Sequence, residues 1–185
     1  APDVLVLRPH LLRLQLSLRA LQRPYAPPNA TEAIFDATAA LEGPSSARLE
    51  HLTIAYQQLS DTLLALVEAI EERSGDAVEE SQRQAIASAR LAAGTAQAIV
   101  TQLKIVGAQA TANPPAASAA LEAACALDPV NPAFGSVRET LNNLRRTFDE
   151  IARYRPQADG GDLRGWLEGV LQKLRPFADM LPDPR

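Results

Sequence analysis

From Leu49 to Ile70 the large apolar residues recur at steps of three and four without a break: Leu49, Leu52, Tyr56, Leu59, Leu63, Leu66, Ile70. On a helix this spacing draws one continuous stripe; on a strand, whose side chains alternate, it draws none. The spacing predicts a helix capped by Ser45 or Ser46 and running to about Arg73, roughly 40 Å long at about 1.5 Å per residue. Ser74-Gly75 breaks it, and Asp76 is placed to cap the next helix. That helix repeats the spacing with smaller residues: Ile86, Ala89, Ala93, Ala96, Val100, Leu103, Gly107, Ala110. Small side chains let two helix backbones approach, with the partner's leucines filling the space. A leucine stripe, a tight break and an alanine stripe therefore predict an antiparallel helical hairpin over 45–112.

Proline and glycine divide the remaining chain into further helical segments. The first starts near Pro9 with the seam Leu7, Leu11, Leu14, Leu18, Leu21, and Leu12 and Leu16 widen its apolar face. A short second helix spans about Ala30 to Leu41, capped by Asn29 or Thr31, faced by Ile34, Phe35, Thr38 and Leu41, and stopped by Gly43. A fifth covers about Pro115 to Leu127, with Leu121, Ala124 and Leu127 inward. The sixth runs from about Pro132 to Tyr154 with Val137, Leu141, Leu144, Phe148 and Ile151. The seventh runs from about Gly161 to Met180 with Leu163, Leu167, Val170, Leu174, Phe177 and Leu181, and Pro176 should kink it or end it near Arg175. The expected fold is all-α: an antiparallel helical bundle of about five main helices and two short ones, built on the long hairpin. At 185 residues it is read as a single domain. The simplest packing gathers helices one, three, four, six and seven around a shared core, with two and five as caps.

Composition removes several chemistries. One cysteine, Cys125, makes no internal disulfide and no cysteine-based zinc site. The two histidines, His10 and His51, stand outside any H-E-x-x-H or E-x-x-H pattern. Neither common phosphate-cradling glycine loop occurs. The net charge of -4 lacks the basic excess of a general nucleic-acid binder, so no nucleic-acid partner is expected. No apolar run reaches the roughly 18–20 residues of a membrane span. The chain begins at Ala1, which fits a processed exported chain or a fragment and leaves the compartment open.

Two charged groupings stand out. Glu68, Glu71, Glu72, Asp76, Glu79 and Glu80 surround Arg73 at the expected hairpin tip. Acids at the start of a helix stabilise its dipole, but Glu71 and Glu72 close a helix and lack that reason. The tip is thus a candidate docking patch for a basic partner. The sixth helix carries Arg138, Arg145, Arg146 and Arg153, a candidate surface for an acidic partner, with Glu139, Asp149 and Glu150 interleaved to pair with them. His51 sits beside Glu50 on the long helix, where a phosphoryl-accepting histidine would be conceivable. The following Leu52-Thr53-Ile54-Ala55 lacks the Lys-Gly that usually follows one, so a structural role is expected. Cys125 lies among alanines as a small core residue, and Trp166 is expected to anchor a core or an interface.

No nucleophile, base or metal cluster emerges, and no cofactor is expected. The reading is a non-enzymatic helical-bundle module for protein–protein interaction: an adaptor, a regulatory domain or a structural subunit, with another protein or itself as partner. The alternative is an extracytoplasmic sensory bundle or a binder of a small apolar ligand. Helices four and five separate these readings, since alanine facing alanine without a bulky filler would leave a pocket.

Overall fold

The computed structural model describes residues 6–21, 26, 29–74, 79–153, 163–178 and 180. They form seven α-helices and, among the described residues, no strand. The helices are α1 (Leu7–Leu21), α2 (Ala30–Glu42), α3 (Leu49–Ser74), α4 (Glu80–Gln109), α5 (Pro114–Leu127), α6 (Ala133–Arg153) and α7 (Leu163–Leu174). Short 3-10 turns occupy Pro44–Ala47 and Arg175–Phe177. The fold is therefore the expected all-α helical packing.

The hairpin forms as its two stripes require. Every residue of the α3 seam from Leu49 to Ile70 is buried, and the α4 seam is buried from Ile86 to Ala110 except at half-buried Gly107. Ser60 donates across the hairpin to the Ala93 carbonyl at 3.1 Å. That bond needs the close approach that alanines at 89, 93 and 96 permit. Gln82 Oε1 accepts from the Glu79 amide at 2.8 Å, so the chain enters α4 at Glu79. Asp76, the expected cap, lies outside the described residues.

The packing order differs from the expectation. α4 packs against α1 and α3, and α2 packs against the same two helices. Helices α1 to α4 thus close a ring. Arg8 at the start of α1 meets Glu42 at the end of α2, and Arg73 at the end of α3 donates to the Ala26 carbonyl just past α1. Sequence neighbours therefore run antiparallel, and the ring is an up-down-up-down bundle. α2 completes the ring instead of capping it. α5 packs on α4, and α6 packs on α5, α7 and the Pro44–Ala47 turn. As expected, α6 lays Phe134, Val137, Leu141 and Leu144 into the shared core, and Phe177 and Met180 beyond α7 join the same buried cluster.

Several local expectations also change. Leu12 and Leu16 are 60% and 68% exposed instead of widening the core face, and Phe35 of α2 is 46% exposed. Each helix buries only the stripe that its neighbours reach, and these three point past it. Asn29 serves α2 through a left-handed backbone (φ 66°) and not through its side chain. Asparagine tolerates that conformation better than most residues. Thr31 is buried with its hydroxyl unpaired and does not cap. Gly43 stops α2 as expected, in an extended backbone, and its carbonyl accepts from Ser46 within the 3-10 turn, so Ser46 does not cap α3. Pro176 ends α7 as expected, passing it into the Arg175–Phe177 turn. Leu21, Ile151, Leu163, Trp166, Leu167 and Leu181 have side chains outside the described set.

α4 and α5 do face each other. The α4 alanines are also covered on their other sides by α1 and α3, whose seams are leucine, so fillers are present. Ala96, fully buried in α4, should therefore resist enlargement. Ala96→Leu is expected to lower stability by roughly 1–3 kcal/mol through overpacking, read by urea denaturation. A gain in stability would reveal an empty space under α4 and revive the ligand-binding reading.

Candidate functional site

Four polar side chains, Arg8, Tyr56, Asp128 and Asn131, meet between α1, α3 and the α5–α6 connector. Tyr56 takes a leucine position in the α3 seam, so its hydroxyl enters the core and needs a partner. It donates to Asp128 Oδ2 at 2.5 Å and accepts from Asn131 Nδ2 at 3.0 Å. Arg8 Nε donates to the other carboxylate oxygen of Asp128 at 3.0 Å. Arg8 also lies 2.6 Å from Glu42, tying α1 to the end of α2. Asn131 accepts from the Ala133 amide at 2.9 Å and so opens α6. The ring of Phe134 stacks on Tyr56, with centroids 6.0 Å apart.

The electrostatics follow from this burial. Burial pushes the Tyr56 phenol well above its ordinary pKa, and the Asp128 carboxylate pushes it further. Burial works against the Arg8 guanidinium, but Asp128 and Glu42 outweigh it and hold its pKa above the ordinary value. Tyr56 and Asp128 are both fully buried, and Arg8 and Glu42 are the members of the cluster that reach solvent. It joins four segments of chain. Sequence reading missed Arg8, Glu42, Asp128 and Asn131. The signal available was Tyr56 itself, a hydroxyl set in a leucine seam.

Three of the exposed large apolar residues, Leu12, Leu16 and Phe35, lie on α1 and α2. A cleft of about 260 Å³ runs between α1 and α2, rimmed by Leu12 and Phe35 and closed at one end by Arg8 and Glu42. Buried Leu11 and half-buried Thr38 line it more deeply. Leu16 lies one turn beyond Leu12 on the same side of α1. The two helices that flank the cleft carry opposite charge. α1 has Arg8, Arg13 and Arg19 and no acid; α2 has Glu32, Asp36 and Glu42 and no base. Arg8 and Glu42 engage each other, whereas Arg13, Arg19, Glu32 and Asp36 are exposed and form no ion pair with another described residue.

The residues singled out in sequence fall into less pointed settings. Glu68, Glu72, Glu79 and Glu80 are exposed at the hairpin tip; Glu71 pairs with Arg90 across the hairpin at 2.6 Å, and Glu80 lies 3.8 Å from Arg83. Arg138 is committed to Glu122, with contacts of 2.6 and 3.0 Å, and this clamps α6 to α5. The guanidinium holds the Glu122 carboxyl below its ordinary pKa, mainly through that hydrogen bond. Arg145, Arg146 and Arg153 are exposed. No ion pair joins the acidic and the basic groupings among the described residues. Cys125 is half-buried, 3.8 Å from Arg138, and His51 is exposed beside Ile54 in a shallow cleft. An alanine-lined cleft of about 230 Å³ does exist, but between α2 and α3 and open to solvent. That is below the roughly 300–1,000 Å³ of small-molecule pockets. Among the described residues, no group of three or more potential metal-ligating side chains occurs, and no helix is long and apolar enough to cross a membrane.

Compared with known protein families, curated proteins and solved structures, the chain matches none.

Proposed function

We propose that this chain is a helical-bundle interaction module, an adaptor, regulatory domain or structural subunit, that docks a protein partner on the α1–α2 face. One observation carries the reading: exposed Leu12 and Phe35 rim one cleft between two adjacent helices, and exposed Leu16 follows one turn beyond Leu12. Apolar groups gathered in this way favour a covering partner, since leaving them in water forfeits roughly 25 cal/mol for each Å² of apolar surface. The polar cluster beneath ties the helices that display the face. The acidic tip and the exposed arginines of α6 flank this reading as secondary surfaces.

Affinity purification of the tagged protein from its source cells tests it, with Leu16→Glu as the comparison. The wild-type chain is expected to retain a stoichiometric protein, a different one or a second copy, and the variant to lose it. Leu16 is 68% exposed, so the variant should melt within a few degrees of wild type. Recovery of the wild-type chain alone, or equal retention by the variant, would overturn the assignment.

A further inference from the structure

We infer that the partner seated on the α1–α2 face is a second copy of this chain, related by a two-fold axis parallel to the two helices. The inference rests on the interaction-module reading and adds its partner. A face made of one basic and one acidic helix is its own complement under one rotation only. A two-fold axis parallel to the helices lays α1 of one copy over α2 of the other. A perpendicular axis in the same plane would set α1 on α1 and bring arginine to arginine.

The levels along the helices agree with the first arrangement. α1 and α2 are antiparallel, with Arg8 beside Glu42. Counting one turn at a time from that pair, Leu12 lies level with Ala39, Leu16 with Phe35, and Arg19 with Glu32. The parallel two-fold keeps these levels. It carries Arg19 of the second copy over Glu32, and Arg13 of the second copy towards Asp36. Leu16 of the second copy covers Phe35. The four charges used are exposed and form no ion pair with another described residue, whereas Arg8 and Glu42, already engaged, mark the end of the face. An apolar centre with oppositely charged rims is the layout of an isologous interface, and like charges set opposite each other disfavour the alternative register.

Charge exchange tests both the partner and the axis. Two double variants are made, Arg13→Glu/Arg19→Glu and Glu32→Arg/Asp36→Arg, and circular dichroism confirms that both are folded. Sedimentation equilibrium over micromolar to millimolar concentrations should show wild type passing from monomer to dimer. Each variant alone sets like charges together and should dissociate about a hundredfold more readily. Mixed in equal amounts, they present acid to base at both contacts, and the heterodimer should return to near wild-type affinity. A wild-type chain that stays monomeric throughout overturns the inference. The module reading still stands in that case if the tagged protein retains a different partner, and falls if it retains none. A dimer indifferent to both variants, or variants that do not recover on mixing, places any self-association on another face and also overturns the inference.

Discussion

Asp128→Ala should cost about 3–5 kcal/mol, the usual loss when one partner of a buried ion pair is removed. Asp128 is wholly buried and receives both the Arg8 guanidinium and the Tyr56 hydroxyl. Without it the Tyr56 proton has no acceptor, and Arg8 keeps only Glu42. Arg8 is 20% exposed and can turn partly to water, so the lower end of that range is expected. Asp128→Asn keeps the shape and one acceptor and should cost less. Urea denaturation at neutral pH measures both, and a loss below about 1 kcal/mol for the alanine variant would mean that the cluster does not hold the connector. The same site predicts an alkaline weakness. The folded pKa of Tyr56 is raised, so its contribution is complete below the unfolded value of about 10 and is lost as pH rises beyond it. Tyr56→Phe should remove that component of the alkaline decline.

Leu63→Ala should cost about 2–5 kcal/mol, as for other fully buried leucines. Leu63 sits mid-seam in α3 with no exposed surface, in the core shared by α1, α3 and α4. Its neighbour Leu64 is 50% exposed, and Leu64→Ala should change stability by no more than about 0.5 kcal/mol. The pair is an internal control: same helix, same residue type, adjacent positions, one buried and one exposed. Thermal or urea melts with equal losses at both positions would contradict the placement of the seam.

The seam from Leu49 to Ile70, the small-residue stripe of α4 and the stop at Pro176 were all legible, because helix periodicity, side-chain size and proline geometry act through near neighbours in the chain. The acidic and arginine groupings were legible as composition, but their meaning was not. Arg138 proved to be a clamp to Glu122, and Glu71 a strut to Arg90. Leu12 and Leu16 show the limit most plainly. Their spacing extends the apolar face of α1, yet whether that extension is core or surface depends on where α2 lies. Tyr56 shows it again, because its partner stands 72 residues away.

The sequence by itself determined that this chain is helical, where its helices break, and which stripe of each long helix turns inward. Those properties follow from backbone hydrogen bonding and from burying apolar side chains at intervals of three and four. Only the tertiary structure decided that α2 closes the ring with α1, α3 and α4, that Asp128 lies beneath Tyr56, and that Leu12, Leu16 and Phe35 remain in water. Helix order around a core is settled by competition among faces of similar hydrophobicity, and the winner depends on loop lengths and on contacts far apart in the chain.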